Sequence, residues 1–349
     1  MSATVTTIIP TFQRPQRLVR AIESALRQTH ADLVVQVYDN ASQDETPDVV
    51  ARLAERDPRV RYVRRPSNLG AAANFARGMS DIATPFFSFL SDDDVLLPEF
   101  FATALAALAQ EPVALMFAGS TLEFDERGTL RYVPLAYWPR EGRYDPPESM
   151  LRMLDNRHPT WTGAMFRREA IERIGVLDED VPAAMDFDYE IRVASRAPIV
   201  VSFKPCAAWI VHPGTVSANQ GVGVVDSLSR VAAKLAGDES IEPRAREEVV
   251  QRLRRQIRGK LLEISVKAQV RGDPATSRQA AQALADRFGA RWLAASLRAM
   301  SWSCAHVPPL QSLLAWMEAE RLRARAAASR RRATASVPDL ARYAEYLKT

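Results

Sequence analysis

Three consecutive carboxylates, in Ser91-Asp92-Asp93-Asp94, form the sharpest chemical feature of the sequence. They directly follow the apolar stretch Phe86–Leu90, which is typical of a buried strand, so we expect them at the carboxyl edge of a sheet. Adjacent like charges repel, and Mg²⁺ is commonly held by one or two carboxylates together with substrate phosphates. The alternative is an N-cap for a helix over Pro98–Gln110, but a single Asp or Ser would suffice for that. The run therefore favours metal and phosphate chemistry.

Other polar residues follow predicted strands in the same way. Thr11 comes after Val5–Pro10, and Asp39 comes after Leu33–Tyr38. In open α/β sheets, ligands bind beyond the carboxyl ends of the strands. Asp39 is compatible with a hydrogen bond to a nucleotide base and equally with a turn cap. Asn68-Leu69-Gly70 resembles a loop that lets the backbone approach a ligand, although Asn and Gly are common in loops.

Glycine-rich phosphate loops are absent from the sequence. It contains neither G-x-G-x-x-G nor G-x-x-x-x-G-K-[ST]. Nucleotide binding by this chain would therefore depend on side chains and a metal ion.

The second half of the chain holds two further candidates. Asp186 opens a predicted helix in Asp186-Phe187-Asp188-Tyr189-Glu190, where it is either an N-cap or a general base within reach of an acceptor hydroxyl. His212 follows a predicted strand and is either structural or a metal ligand.

Strands and helices alternate through the first 120 residues, which is the pattern of β-α-β units and a parallel sheet. The predicted strands are Val5–Pro10, Leu33–Tyr38, Val60–Val63 and Pro85–Leu90. The predicted helices between them are Pro15–Gln28, Thr46–Arg56 and Ala71–Ile82.

The pattern is looser beyond Gly119. We expect a hairpin over Thr121–Val133 and a Pro- and Trp-rich loop to about Asp145. Short helices are predicted at Met165–Ile174 and Asp186–Arg196, and short strands at Ile199–Phe203 and Ala207–Val211. From about Val225 to the end, Ala, Leu and Arg dominate, which predicts a mostly helical region beyond a boundary near residues 218–225.

Composition places the chain among globular proteins of about two domains: it has 349 residues, of which 47% are hydrophobic and 25% charged. Its two cysteines exclude a disulfide framework and a four-cysteine zinc site. Neither a signal peptide nor an uncharged apolar run of about 18 residues is visible, which favours a cytoplasmic protein.

Charge is divided unevenly, with a net +10 from residue 220 onward and −6 before it. Six arginines follow Trp316-Met317, namely Arg321, Arg323, Arg325, Arg330, Arg331 and Arg332. Three explanations are open: peripheral docking on an anionic membrane at its inner face, a homodimer contact, or a solvated helix face. No zinc-finger spacing or aromatic RNA-binding motif accompanies the arginines, so no nucleic-acid partner is expected.

Short motifs occur in a fixed order over about Val5 to Ser217. Ile8–Pro15 reads I-I-P-T-F-Q-R-P, Ser24–Thr29 reads S-A-L-R-Q-T, and Asp39–Thr46 reads D-N-A-S-Q-D-E-T. The later members of the series are Asn68-Leu69-Gly70, Asn74-Phe75, Phe89–Asp94, Pro98 and Met185-Asp186-Phe187-Asp188. This succession resembles the family 2 inverting glycosyltransferases of the GT-A fold.

The resemblance implies an α/β fold with a Rossmann-like, mixed and mainly parallel sheet flanked by helices. Residues 1–220 would form the transferase domain, with 1–120 binding the nucleotide sugar and 121–220 facing the acceptor. Residues 221–349 would form the basic helical region. The implied reaction moves a sugar from a nucleoside-diphosphate sugar, with UDP favoured, to a hydroxyl of a glycan, a lipid-linked glycan or a small natural product. The implied cofactor is Mn²⁺ or Mg²⁺.

The resemblance also implies roles for individual residues. The nucleotide-binding set would be Pro10, Thr11, Arg14, Asp39, Asn68, Gly70, Asn74 and Asp92. The metal-binding set would be drawn from Asp93, Asp94 and His212, with the choice between the two carboxylates left open. Asp186 would be the catalytic base, and Trp161 and Asp188 would lie on the acceptor side.

The sequence departs from the family pattern at two positions. Met185 stands where a Glu often precedes the base, and Ser91 stands where the family often has Asp. The Q-x-x-R-W motif of processive synthases is also missing, since Phe288-Gly289-Ala290-Arg291-Trp292 lacks the Gln. We therefore expect single additions.

Two alternative functions are weaker. A sugar-1-phosphate nucleotidyltransferase would need a glycine-rich loop after the first strand, where this chain has Pro10-Thr11-Phe12-Gln13. A degenerate transferase serving as a nucleotide-sugar-binding or scaffold subunit would not need both the carboxylate run and Asp186.

Overall fold

The computed structural model describes residues 3–154, 158–212, 221–336 and 340–347. The chain divides into two compact units: a first unit of Met1–His212 with Ser329–Thr349, and a second unit of Pro213–Ala328. The predicted boundary near residues 218–225 falls partly outside the described residues, so the division into 1–220 and 221–349 stays a prediction.

The first unit is built on one mixed sheet, in the strand order β3-β2-β1-β4-β9-β6-β10-β5, with β7 on β6 and β8 on β10. Its strands are β1 Val5–Thr11, β2 Leu33–Asp39, β3 Val60–Arg64, β4 Phe86–Phe89, β5 Val95–Leu96, β6 Met116–Asp125, β7 Leu130–Tyr132, β8 Gly142–Tyr144, β9 Ala164–Arg167 and β10 Ile199–Val211. Its helices are α1 Pro15–Leu26, α2 Thr46–Arg56, α3 Ala71–Ser80, α4 Phe100–Gln110, α5 Glu148–Met153, α6 Glu169–Ile174 and α7 Met185–Arg196. Short 3₁₀ turns lie at Pro134–Tyr137 and Trp161–Gly163.

The strands β3, β2, β1 and β4 are parallel, as the alternation of periods predicts. Thr11 is paired with Asp39 at the last position of β1 and β2, so the ends of these strands meet at one edge. The helix α1 begins with Pro15, which suits a first helical position because its missing N–H would be unpaired there in any case. The buried face of α1 packs into a core with α4 and the parallel strands, around Leu18, Ile22 and Phe100.

The middle of the sheet differs from the sequence-based prediction. The expected helix over Met165–Ile174 is wrong in its first part, because β9 lies there, antiparallel to both β4 and β6. Fully buried Met165 and Phe166 fill the gap between those strands, and α6 begins only at Glu169. Antiparallel pairing is consequently more extensive than expected, although the sheet is mixed as predicted.

The long strand β10 replaces two predicted short strands. It pairs in parallel with β6, and the register shifts between Ser202 and Ala207 around Pro205. Proline lacks an N–H for the ladder and is tolerated at such irregularities. The strand ends at Val211, one residue before His212, so β10 delivers this histidine to the edge of the sheet.

The last residues of the chain belong to the first unit. The Ser329 hydroxyl accepts a hydrogen bond from the Val133 amide, at 3.2 Å. Buried Ala333 and Tyr343 join an apolar cluster with Leu122 and Phe124 of β6. The predicted helical C-terminal region is thus helical where described, but its end packs on the sheet.

The second unit is mostly helical in its described residues, as expected. Its helices are α8 Gly223–Ala236, α9 Pro243–Val270, α10 Pro274–Phe288, α11 Arg291–His306 and the larger part of α12 Pro308–Ser336. The helix α13 Leu340–Tyr343 and a 3₁₀ turn at Ala344–Leu347 belong to the first unit. Glu242 and Asp273 cap α9 and α10 by accepting hydrogen bonds from backbone N–H groups of the first turn. Across the described residues, no helix combines the length and the apolar character needed to cross a bilayer.

Candidate functional site

Polar side chains from four strand ends meet at the carboxyl edge of the sheet. The Thr11 hydroxyl, at the end of β1, donates to Oδ2 of Asp92 at 2.8 Å. This contact joins the first strand to the carboxylate run that follows β4. Pro10 precedes Thr11 in β1 and lies opposite Tyr38 of β2.

Asp39, at the end of β2, is fully buried and shapes the loop that follows it. Its Oδ1 accepts from the Ser42 amide at 2.9 Å, and its Oδ2 accepts from the Tyr62 hydroxyl at 2.6 Å. Burial and the neighbouring Asp39 charge raise the pKa of Tyr62, so this phenol stays protonated and continues to donate. The carboxylate therefore holds a tyrosine from β3 beside the end of β2.

The Asn68-Leu69-Gly70 loop is tied to the same corner by Asn40. The Asn40 amide donates to Oδ1 of Asn68 at 2.8 Å, and its oxygen accepts from the Leu69 N–H at 2.8 Å. Gly70 has φ of +83°, in the region that glycine tolerates best, and immediately precedes α3. Asn74 is buried and donates to the Tyr38 carbonyl at 2.8 Å, so it joins α3 to β2.

Arg14 bridges the first two carboxylates of the run. Its guanidinium lies 3.1 Å from Oδ1 of Asp92 and 3.0 Å from Oδ2 of Asp93. Arg20 of α1 donates to the Asp93 carbonyl at 2.9 Å, and His212 Nε2 lies 3.0 Å from Oδ2 of Asp93. Asp93 is thus placed among three basic side chains drawn from both ends of the first unit.

Asp94 has different surroundings. Its Oδ2 accepts from the Thr162 hydroxyl at 2.9 Å, and its Oδ1 accepts from the Ile210 amide of β10 at 3.2 Å. The residue is 2% exposed. Burial, followed by the charge of Asp93, holds the pKa of Asp94 well above its usual range. Asp94 therefore ties the run to β10 with oxygens that are already bonded.

The electrostatic cost of the run also appears at Asp92. Burial, followed by the charge of Asp93, raises the pKa of Asp92 to about 6, although Arg14 and Thr11 oppose the shift. Three carboxylates are thus held together at a site that supplies fewer compensating charges than they need, a common property of functional sites.

The carboxylate run fits a divalent cation that arrives with phosphate ligands. Among the described residues, no cluster of three or more His, Cys, Asp or Glu side chains forms a complete cation cage. Mg²⁺ and similar cations are commonly held by one or two carboxylates plus substrate phosphates, so a complete cage is not required. Asp93, in the middle of the run and beside His212, matches that incomplete donor set better than Asp94, whose Oδ2 already accepts from Thr162.

Asp186 lies at the start of α7 and is half-buried. Its Oδ1 accepts from the Phe187 amide at 2.8 Å. The N-terminus of a helix favours the ionised form of a carboxylate. The cap residue of α7 is Ala184, so Asp186 lies within the first turn and not at the N-cap position that the sequence allowed. It is partly accessible there.

The two predicted acceptor-side residues are mostly internal. Asp188 is buried and accepts from Nε of Arg192 at 2.8 Å, and Arg192 in turn donates to the Ile174 and Val176 carbonyls. The structure thus gives Asp188 a role in holding α7 instead of an acceptor-facing one. Trp161 is 9% exposed and packs on Phe75 and Phe89, with ring centroids 4.4 and 5.0 Å away. Only a small part of the Trp161 side chain is therefore exposed at the surface.

Residues 6–175 match the model of the family described as Glycosyl transferase family 2. The chain carries a family 2 glycosyltransferase domain. A β-1,3-glucosyltransferase of Campylobacter jejuni, named for GalNAc(5)-diNAcBac-PP-undecaprenol, is 35% identical over 117 residues, 33% of this chain and 38% of the relative. An Escherichia coli chondroitin synthase is 25% identical over 244 residues, 66% of this chain and 33% of the relative. The chain thus spans about one third of the length of these curated relatives.

Solved structures share the fold of the transferase domain. Staphylococcus aureus TarS in complex with UDP has a TM-score of 0.62 at 15% identity, over 87% of this chain and 91% of that one. The mannosyltransferase PcManGT of Pyrobaculum calidifontis, in complex with GDP-Man and Mn²⁺, has a TM-score of 0.54 at 19% identity, over 93% and 86%. The predicted GT-A fold and family resemblance are therefore confirmed.

Several site residues were not predicted from the sequence. Arg20 carried only the signal of an amphipathic helix, and Asn40 and Tyr62 carried none beyond their place near strand ends. His158 and Glu190, near Asp186, were also missed. Each depends on a tertiary contact between segments far apart in sequence.

Replacing Arg14 by Ala is expected to lower the free energy of unfolding by about 1–3 kcal/mol, because Asp92 and Asp93 then lose the guanidinium they share. Urea unfolding at pH 7 and low salt measures the change. Arg17→Ala is the matched control: Arg17 meets Glu126 at 3.7 Å with both side chains well exposed, so its loss should cost less than about 0.5 kcal/mol. Equal losses in the two variants would contradict the proposed bridge.

Proposed function

We propose that the chain transfers a sugar from a nucleoside-diphosphate sugar to an acceptor hydroxyl, with inversion at the anomeric carbon. The observation that carries the proposal is the site of Asp93, where a carboxylate at the sheet edge lies between Arg14 and His212. Such a cluster suits a diphosphate and its counter-cation. Asp186 belongs to the same compact unit and supplies a partly accessible carboxylate.

The nucleoside would occupy the corner formed by the ends of β1 and β2. Pro10, Thr11 and buried Asp39 would form this corner, and the internal bonds of Asn68, Gly70 and Asn74 would fix the neighbouring loop. Asp92 would face the ribose, with Arg14 beside the phosphates. UDP is the favoured nucleotide; TarS structures hold UDP and UDP-GlcNAc, whereas PcManGT holds GDP-Man.

A divalent cation, Mn²⁺ or Mg²⁺, would be held by Asp93 with His212, while Asp94 fixes the run by its bonds to Thr162 and Ile210. When bound, such a cation supplies Lewis-acid stabilisation of a leaving diphosphate. Arg14 adds positive charge on the same side of the run. The chain's own residues thus orient the donor and concentrate positive charge where negative charge develops.

Asp186 would act as the general base. Its half-buried carboxylate accepts the proton of the acceptor hydroxyl as the acceptor oxygen bonds to the anomeric carbon and the bond to the diphosphate breaks. A single displacement of this kind inverts the anomeric carbon. No second carboxylate is needed as a nucleophile, and buried Asp188 is engaged by Arg192.

Asp186→Asn is expected to reduce transfer by about 10²-fold or more, because an amide cannot accept the proton. UDP release is followed with UDP-sugar donors and an acceptor that supports wild-type turnover, and UDP affinity is measured by calorimetry. UDP affinity should change less than about twofold, since Asp186 lies outside the nucleotide corner. Asp180→Asn, at an exposed position before α7, is the matched control. Near-normal transfer by Asp186→Asn would show that another group is the base.

The acceptor is proposed to be a glycan, a lipid-linked glycan or a small molecule presented at a membrane surface. The predicted docking arginines do not all serve that purpose: Arg321 pairs with Glu318, and Arg330 donates to the Leu130 carbonyl. A better surface is the acid-free segment, residues 288–317, which contains no Asp or Glu. Its exposed large apolar side chains are Trp292, Trp302, Val307, Leu313, Trp316 and Met317.

The acid-free segment has the composition of an interfacial surface. Exposed Trp side chains beside Arg291 and Arg298, without a compensating acid, are suited to the headgroup region of an anionic bilayer. Exposed apolar patches mark interaction sites in general, and six large exposed apolar side chains fall within this one segment. We propose peripheral contact with an anionic membrane through this segment, with a homodimer as the competing outcome.

Flotation of the full chain with vesicles of phosphatidylglycerol and phosphatidylcholine tests the contact. Wild type should bind at low salt and release as salt rises. A Trp292→Ser, Trp302→Ser, Trp316→Ser variant should bind at least about tenfold more weakly, because three apolar anchors are lost. Val113→Ser, an exposed apolar residue of the first unit, is the control and should bind as wild type. No vesicle binding by wild type, or equal binding by wild type and the triple variant, contradicts the proposal. If wild type is instead a dimer that the triple variant breaks, the surface binds a second copy of the chain.

A further inference from the structure

Glu190 is an anomaly beside the candidate base. Its side chain is 1% exposed, and within the described ranges neither of its carboxylate oxygens has a hydrogen-bond partner. A buried carboxylate in that condition is costly unless a nearby charge compensates it. Glu190 follows Asp186 by four residues in α7, so the two lie on the same face of the helix, one turn apart.

His158 supplies the compensating charge. Its Nδ1 lies 3.5 Å from Oε2 of Glu190 and 2.8 Å from the Pro159 carbonyl. Its ring meets that of Phe187, next to Asp186, with the centroids 5.5 Å apart. The imidazole therefore lies beside the first two turns of α7, against Phe187 and Glu190.

The charge state of His158 follows from these neighbours. Burial alone would lower the pKa of His158, but Glu190 and then Asp186 outweigh it and raise this pKa to about 9. Burial, partly offset by His158, raises the pKa of Glu190 to about 7. The two carboxylates of α7 are the charged groups that act on the imidazole, so His158 is an imidazolium at neutral pH.

The imidazole also has an accessible side. About 31% of its side chain is exposed, although Glu190 beneath it is sealed from solvent. Within the part of the chain that the structure describes, Nδ1 makes both polar contacts of the ring, so Nε2–H remains available. A cationic N–H donor beside Asp186 is suited to an oxygen that gains negative charge.

We propose that His158 binds the acceptor oxygen beside Asp186, with Glu190 as the positioning residue that fixes the imidazole. This inference rests on the proposed transfer reaction. As the acceptor hydroxyl gives its proton to Asp186, the Nε2–H of His158 stabilises the charge developing on the acceptor oxygen. His158 keeps its own proton throughout, so the step stays balanced with Asp186 as the only proton acceptor.

The ion pair itself is tested without substrate by NMR titration of the imidazole ¹⁵N signals of the full chain. The sequence has four histidines, and His158→Gln assigns the signal by its loss. In wild type the signal should remain that of an imidazolium up to about pH 8. In Glu190→Gln the titration midpoint of His158 should fall by 2 pH units or more. The substitution removes the Glu190 carboxylate, which is the main group that stabilises the imidazolium. The signals of His30 and His306 should not move.

The role in transfer is tested by the pH profile of UDP release and by its dependence on acceptor. The wild-type rate of UDP release should decline as the pH rises through about 9. In Glu190→Gln this decline should occur at a lower pH, shifted by the same number of pH units as the NMR midpoint of His158. Acceptor KM should rise about tenfold or more in His158→Gln, with donor KM changed less than about twofold. Glu172→Gln, on the surface of α6, is the matched control.

The outcomes separate this inference from the proposed reaction. An ordinary His158 midpoint, or one that Glu190→Gln leaves unchanged, overturns the ion pair whatever the activity. A second outcome is that the NMR midpoint of His158 shifts in Glu190→Gln while the alkaline decline of the rate stays at the same pH and the acceptor KM of His158→Gln is unchanged. That result overturns the acceptor role and leaves His158 and Glu190 as a structural ion pair. Full activity of Asp186→Asn would refute the proposed base while leaving the NMR result intact.

Discussion

The structure depends on the mutual repulsion of three consecutive carboxylates at the carboxyl edge of a sheet. Burial raises the pKa of both Asp92 and Asp94, and the charge of Asp93 adds to the effect at each. The fold opposes this repulsion with partners from separate segments: a guanidinium from Arg14, a hydroxyl from Thr11, and the backbone amide of Ile210. The compensation is incomplete at Asp92 and Asp94, whose pKa values stay raised, so the run as a whole can accept a cation carried by a phosphate ligand.

The need to compensate these carboxylates explains how the parallel strands β1 to β4 are joined to β10 in the first unit. The parallel strands β1 to β4 bring Thr11, Asp39 and the carboxylate run to one edge, and β10 brings Ile210 and His212 to the same run from the other side. The register shift of β10 around Pro205 lies between its pairing at Ile199 and its pairing at Ile210. Aromatic packing of Trp161 on Phe89 fills the space directly behind the run.

Much of this arrangement could be predicted from the sequence, because the first 120 residues combine strong periodicity with ordered local motifs. The helix α2 has the predicted bounds Thr46–Arg56, and the parallel order of the first strands follows from the alternation. The second half resisted prediction for physical reasons. Short apolar runs such as Met165-Phe166 fit a helix or a buried strand equally, and only the gap between β4 and β6 decides. Contacts of Arg20, Asn40 and His158 join distant segments and leave no local signal.

If Asp93 and a nucleoside diphosphate together complete a cation site, the nucleotide and the metal must stabilise the protein jointly. Thermal unfolding of wild type and Asp93→Asn is measured with UDP, GDP or dTDP, each with and without Mn²⁺ or Mg²⁺. We expect one nucleotide with metal to stabilise wild type by about 2.7 kcal/mol at a hundredfold excess over Kd, and the metal-dependent part to be lost in Asp93→Asn. Stabilisation of both proteins to the same extent, or no response of folded wild type to any nucleotide, would contradict it.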